Sequence, residues 1–265
     1  MRQISLLGCG WLGLPLAKSL IAKGFSIKGS TTSSVKISVL ENAGIEAFQI
    51  EIGENQIAGN IDSFLENSEI LIVDIPPKLR GTSSENFVKK IQNLVSFIEK
   101  FSIEKVIFIS STSVYADENC IVTEDTEPNP DTESGRQLLE VESILKSNSN
   151  FKTTVIRFAG LIGEDRHPIH FLAGRKNIEN PNAPVNLIHQ KDCIGIIESI
   201  IMLECWDETF NGVAPFHPTR KEYYTQKALK LNLELPEFNE DKISIGKTIL
   251  SDKAENLLKY KFGSI

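Results

Sequence analysis

The run Gly8-Cys9-Gly10-Trp11-Leu12-Gly13 spaces three glycines as G-x-G-x-x-G, after an apolar run at 4–7 and ahead of an amphipathic stretch at 12–23 that closes at Gly24. Strand, glycine turn and helix in that order give the spacing a physical meaning. Gly8 allows the tight turn, Gly10 lets the backbone approach a pyrophosphate, and Gly13 lets helix and strand pack closely. The helix start beyond them offers unpaired N–H groups to phosphates. Cys9, Trp11 and Leu12, threaded between the glycines, are expected to line the same dinucleotide site.

The alternation continues along the first half. Apolar or β-branched runs at 25–29, 45–49, 70–75, 106–110 and 153–158 read as further strands, with helical patterns at 34–42, 84–101 and 135–146 between them. The helix at 84–101 carries Phe87, Ile91, Leu94, Val95 and Ile98 on one face. The run at 106–110 is nearly all apolar, as suits a central parallel strand buried on both sides. Strands separated by helices imply right-handed crossovers and an open parallel sheet. The fold class is α/β, a Rossmann-type doubly wound parallel sheet with a small C-terminal substrate lobe. Residues 1–162 form the dinucleotide-binding core. Residues 163–265 form the lobe, part of it returning to the core, with 163–184 reading as loop and 192–203 as helix.

Composition narrows the partners. The 28 basic and 35 acidic residues leave a net charge of −7, and no basic block offers a nucleic-acid or acidic-membrane surface. Cys9, Cys120, Cys193 and Cys205 show no C-x-x-C spacing, which fits a reducing compartment better than a disulfide framework or a zinc site. No apolar run approaches the roughly 18 residues of a membrane span. Leu6-Leu7-Gly8-Cys9 resembles a lipoprotein box, but the stretch before it is too short for a leader. A cytoplasmic location and a small-molecule substrate are expected.

The cofactor is read from the second strand. A carboxylate about 20 residues beyond the glycines would hold the ribose hydroxyls of NAD. Here the chain reads Ser30-Thr31-Thr32-Ser33, with Lys36 following and no acid. Hydroxyls and a lysine welcome a 2′-phosphate that an acid would repel, so NADP is favoured, with NAD possible. The same hydroxyls also suit capping of the next helix. The ends of the later strands, Ile75-Pro76-Pro77, Ser110 and Ala159-Gly160-Leu161, complete the expected cofactor cradle.

Phe108-Ile109-Ser110-Ser111-Thr112-Ser113-Val114-Tyr115, together with the glycine motif, resembles the short-chain dehydrogenase/reductase superfamily in its extended nucleotide-sugar epimerase/dehydratase branch. The likeness runs through most of the chain, including Arg157–Gly163 and Asn186–Asp192. The combination of GWLGLPLA, SSTSVY, Ser134–Glu142, Asp165-Arg166-His167-Pro168 and VNLIH is similar to the atypical YeeZ-like group of that superfamily. The branch implies a Ser or Thr, here Ser111, bonded to the substrate oxygen, and a Tyr-x-x-x-Lys pair that moves the proton. In this chain Ser134 stands where the Tyr belongs and Leu138 where the Lys belongs. The cofactor cradle is kept and the proton shuttle is missing.

Tyr115 is the candidate replacement, either facing the pocket or packed in its loop. Ser134, Arg136, Arg166 and His167 are candidate substrate contacts, Arg136 equally able to be a solvated surface residue. His189 is read as structural, Asp74 as solvated or capping, and Arg157 as paired internally. No metal is expected. Extended members pair through the two helices here at 84–101 and 135–146, which implies a homodimer. The leading function is an NAD(P)-binding oxidoreductase or epimerase/dehydratase-like enzyme. A non-catalytic, NADP(H)-responsive binding or regulatory protein is the alternative.

Overall fold

The computed structural model describes residues 2–77 and 85–263. Its centre is a seven-stranded sheet of β1 (Gln3–Leu7), β2 (Ser26–Thr31), β3 (Glu46–Gln49), β4 (Ile70–Val73), β5 (Lys105–Ser111), β6 (Lys152–Phe158) and β7 (Thr209–Gly212). The strands lie in the order β7-β6-β5-β4-β1-β2-β3, and every neighbouring pair is parallel. The winding reverses between β1 and β4, which opens a crevice at the carboxyl ends of those strands.

The core follows from strand chemistry. β4, Ile70-Leu71-Ile72-Val73, is buried at every position, and β5 buries Val106, Ile107 and Phe108 completely. Two faces of apolar side chains need two layers of helix. Helices α1 (Gly13–Ala22), α2 (Ile37–Glu41), α3 (Ile61–Leu65), α4 (Phe87–Lys100), α5 (Glu133–Ser147) and α7 (Gln190–Leu203) supply them, α1 packing beside α7 and α4 beside α5. Local signals fix the starts of the long helices. Asn86 accepts from the Lys89 amide at 3.0 Å and Thr132 from the Gly135 amide at 3.1 Å.

Several segments differ from the sequence reading. β2 runs on to Thr31, so Ser30 and Thr31 belong to the strand and not to the turn after it. Lys28 within it is buried, its ammonium bonded to the carbonyls of Ser63 and Glu66, each at 2.7 Å, at the end of α3. The stretch at 163–184 holds a short helix, α6 (Ile169–Leu172). β7, Thr209-Phe210-Asn211-Gly212, was not legible as a strand because only one of its four residues is a large apolar one. The described part of the expected helix at 84–101 begins at Phe87, and residue 84 lies outside the described residues.

Beyond β6 the chain leaves the sheet, comes back as α7 and β7, and leaves again as α8 (Arg220–Lys230) before α9 (Asp252–Leu257). The outlying parts share a smaller apolar cluster of Ile162, Ile169, Val185, Leu187, Tyr223, Tyr224 and Ala228. On α4 and α5, the helices through which a homodimer was expected, the exposed positions include Lys89, Gln92, Ser96, Arg136, Glu140 and Ser143. Pairing through them would bury polar surface.

A buried ion pair joins α5 to the sheet. Arg157 on β6 and Glu142 on α5 are both almost fully buried, with Nη2 2.6 Å from Oε2 and Nε 3.1–3.2 Å from both carboxylate oxygens. Ser110 on β5 donates to Glu142 Oε1 at 2.5 Å, and Arg157 Nη1 donates to the Tyr115 hydroxyl at 2.6 Å. Removing one partner leaves the other charged and unpaired. Arg157→Leu should therefore lower the unfolding free energy by about 3–5 kcal/mol. Replacing both, Arg157→Met with Glu142→Leu, should recover a large part of that loss. Urea titrations of the three proteins check this; a double variant no more stable than Arg157→Leu would sink it.

Candidate functional site

The crevice at the sheet reversal is a cavity of about 220 Å³. Its floor is the loop after β1, and its walls are the carboxyl ends of β2, β3 and β4. The three glycines of that loop are required for three different reasons. Gly8 has φ +110°, and a Cβ there would sit 2.3 Å from the Asp74 carbonyl oxygen. A Cβ on Gly13 would sit 2.2 Å from the Gly8 carbonyl oxygen, so helix α1 and the loop touch backbone to backbone. A Cβ on Gly10 would meet nothing within 4 Å. Of the three, Gly10 alone faces open space.

The electrostatics favour an anion at this end of α1. Leu12, at the N-cap, supplies no side-chain acceptor. The Gly13 amide bonds Asp74 and the Leu14 amide the Gly10 carbonyl at 3.1 Å, and among the described residues the amides of Trp11 and Leu12 are left for a ligand. Ser30 fixes the loop by accepting from the Gly8 amide at 2.9 Å, and its own carbonyl accepts from the Cys9 amide at 2.7 Å. Asp74, at the end of β4, is pushed up to about 8 by burial, with a hydrogen bond from the Gly13 amide pulling the other way. It is a capping residue, and at neutral pH it is mostly protonated. Cys9 is pushed up to about 12 by burial and by Asp74, so its thiol is inert.

The cavity gathers many of the expected cofactor residues: Gly8, Cys9, Gly10, Ser30, Thr31, Thr32, Lys36, Ile75 and Pro76. Lys36 is exposed and has no ion pair among the described residues. Thr31 Oγ1 accepts from the Ser33 amide at 3.2 Å, so these hydroxyls also shape the turn. Trp11, Leu12, Gly13, Ser33 and Pro77 stand beside the cavity and not on its wall. The wall also includes Ile50, Glu51, Ile52, Asp74 and Phe87, which the sequence reading did not assign. Their signal was position: 50–52 follow β3 at the carboxyl edge, where ligands of parallel sheets bind.

The residues assigned to chemistry divide in two. Ser111 ends β5 and accepts from the Ser113 amide at 3.2 Å. The start of α5 packs on that turn, since a Cβ on Gly135 would lie 2.2 Å from the Ser113 carbonyl oxygen. Ser111 and Ser134 are thus held on neighbouring elements, with Ser134 half-buried and Leu138 buried. Tyr115 is not with them. It is 2% exposed; its hydroxyl accepts from Arg157 and stands 3.0 Å from Asn211 Oδ1 and 3.2 Å from the Thr123 carbonyl. Burial raises its pKa above the usual phenol value. This is the packed tyrosine of the two readings, too enclosed to meet substrate.

Three other expected contacts are also committed elsewhere. Ser110 gives its hydroxyl to Glu142. Arg136 is exposed and pairs with Glu133 at 3.1 Å within α5. His167 is buried between α6 and α8, its Nδ1 accepting from the Ile169 amide at 3.1 Å and its Nε2 3.0 Å from the Tyr223 hydroxyl. Ala159, Gly160 and Leu161 lie at the carboxyl end of β6, where residues 160–162 pair with 187–189. His189 caps α7, accepting from the Lys191 amide at 3.1 Å. Arg166 remains free on the surface, above the Trp11 ring.

The protein YeeZ of Escherichia coli K12 is 35% identical over 239 residues, 90% of this chain and 87% of that protein. The chain belongs to the YeeZ family. No family model matches it. Among solved structures, the UDP-glucuronic acid 4-epimerase of Bacillus cereus, in complex with NAD, superposes with a TM-score of 0.80 at 18% identity, over 100% of this chain and 94% of that one. MoeE5, in complex with UDP-glucose and NAD, gives 0.80 at 16% identity, over 99% and 94%. At those identities the likeness is one of fold, and the YeeZ-family chain shares the Rossmann-type sheet with short-chain dehydrogenase/reductase proteins.

His167 carries a pH consequence. Burial, with the charges of Lys227 and His170, lowers its pKa from 6.5 to about 4. The unfolded chain then binds a proton that the folded one refuses between those values, so stability falls as pH drops from 6.5 towards 4. The full effect is about 3 kcal/mol. His167→Gln should flatten this acid limb in urea titrations at pH 7 and pH 4.5; an unchanged limb would remove His167 as its source.

Proposed function

We propose that this chain binds a nicotinamide dinucleotide, NADP(H) in preference to NAD(H), and acts as an oxidoreductase or nucleotide-sugar epimerase-like enzyme that works without a Tyr/Lys proton shuttle. The observation that carries the reading is Gly10. Gly8 and Gly13 are glycine because protein atoms crowd them, whereas Gly10 faces an open cavity beside the unbonded amides of Trp11 and Leu12. That is the arrangement a pyrophosphate needs. The NAD held by MoeE5 and by the Bacillus cereus epimerase supports the class of cofactor. Thr31, Thr32 and Lys36, with no acid at the end of β2, support the phosphorylated form.

When bound, the dinucleotide supplies hydride transfer. The chain's own part is to position and to hold protons. Ser111, at the carboxyl end of β5, offers a hydroxyl to a substrate oxygen. Asp74, neutral near pH 7, stands beside the phosphates without repelling them. Ser134 and Leu138 cannot act as general acid or base, a role worth about 10²–10⁴ in rate, so turnover on simple carbonyl compounds should be slow. The burial of Tyr115 favours the second reading, a dinucleotide-responsive binding protein. Oxidation of bound NADPH by a panel of carbonyl compounds and nucleotide sugars separates the two.

Gly10→Val should fold normally, since its side chain has room, yet fill the pyrophosphate position and reduce dinucleotide affinity at least a hundredfold, about 2.7 kcal/mol. Unchanged affinity in the folded variant would overturn the site. Thr31→Asp should keep the turn, because a carboxylate also accepts from the Ser33 amide, while placing a charge against the 2′-phosphate. Fluorescence titration with both reduced cofactors should show the preference move towards NADH by roughly tenfold, about 1.4 kcal/mol. Equal affinities in the parent protein would defeat the NADP assignment.

A further inference from the structure

Arg166 lies in a tight turn that the chain has built onto the glycine loop. The turn is closed by an antiparallel bridge between Gly163 and Arg166, and it meets Trp11, the residue after Gly10, at three points. A Cβ on Gly163 would lie 2.7 Å from the indole. Asp165 accepts from the indole N–H at 2.8 Å. The Arg166 guanidinium carbon stands 4.9 Å from the ring centroid. Gln190 of α7 adds a fourth contact, donating to the Trp11 carbonyl at 2.6 Å. So many contacts on one loop residue fix the turn in space, and they carry a cation to the edge of the cavity.

That cation is uncommitted. Among the described residues Arg166 forms no ion pair, and the neighbouring Asp165 is held by Trp11. An exposed guanidinium resting on a half-buried ring is weakly bound, whereas one bonded to phosphate oxygens gains two charge-assisted hydrogen bonds. The amides of Trp11 itself and of Leu12, which have no partner among the described residues, attract the same anion.

We propose that Arg166 is the counter-ion of the dinucleotide's pyrophosphate: it rests on Trp11 in the free protein and turns onto the diphosphate when the cofactor binds. The inference rests on the dinucleotide reading above and adds a residue from the lobe to the phosphate site. Trp11 is then both the resting place and the reporter. The chain has two tryptophans. The other, Trp206, bonds to Glu204 and lies under Lys105 at the amino end of β5, far from the cavity.

The test uses Trp206→Phe protein, in which Trp11 alone emits, with ADP and AMP as non-absorbing probes beside NADPH. ADP should change the Trp11 emission. Adding Arg166→Gln should abolish that change and weaken ADP and NADPH about ten- to a hundredfold, the scale of hydrogen bonds to a charged group. AMP, lacking the diphosphate, should weaken much less, and Arg166→Lys should restore most of the affinity. Thermal melting confirms that the variants are folded. Full NADPH affinity in Arg166→Gln overturns the proposal while leaving the dinucleotide site intact. So does a loss that appears equally with AMP. A parent protein that binds neither NADPH nor NADH overturns both readings together.

Discussion

The carboxyl ends of β5, β6 and β7 depend on the contact between Glu142 and Arg157. β5 and β6 run side by side, and the crossover helix α5 must come down on them at one angle for its first turn to reach Ser113. Apolar packing alone would tolerate sliding by a turn. A guanidinium that bonds both oxygens of one carboxylate in the interior does not, because a slip would leave both charges without water or partner. Ser110, Tyr115 and Asn211 extend the constraint to β5, the loop after it and β7. The end of β5 and the first turn of α5 are thus held in one frame.

At the other half of the sheet the constraint is close approach. Backbone touches backbone at Gly8 and at Gly13, and Gly29 is pressed between Cys9 and Ile45. Lys28 answers the end of α3, and Ser30 answers the loop. The geometry of the glycine loop is therefore fixed by close packing against its neighbours. Asp74 stands both in that frame and on the cavity wall.

How far these features were legible depends on whether their cause is local. The glycine loop and the apolar strands are dictated by residues within a few positions of one another, and they were readable. Strand β7 was not, because Thr209, Asn211 and Gly212 are placed there by partners from elsewhere: Asn211 is held by Tyr115, Glu124 and Leu250. Tyr115 failed as a site residue for the same reason. Its motif position points to the cleft, but the arginine and asparagine that draw it inward lie 42 and 96 residues away. His167 likewise follows Arg166 in sequence, yet one side chain is buried against α8 and the other lies in the open. Adjacency in a turn says nothing about which side faces water. The cavity wall after β3 was missed because Ile50-Glu51-Ile52 carries no motif, only a place in the topology.

The return of the chain to the sheet after residue 162 has a consequence for how this protein can be divided. β6 pairs with β5 on one side and with β7 on the other. β7 is contributed by the part of the chain that otherwise builds the lobe. A fragment ending at residue 162 would contain every glycine of the loop and six of the seven strands. It would also present the seven-residue strand β6, six of whose residues are buried here, as a bare edge. Open parallel edges of that length and hydrophobicity recruit other chains. Residues 1–162 are thus a unit of sequence but not of solubility, because β7 completes the sheet that they begin.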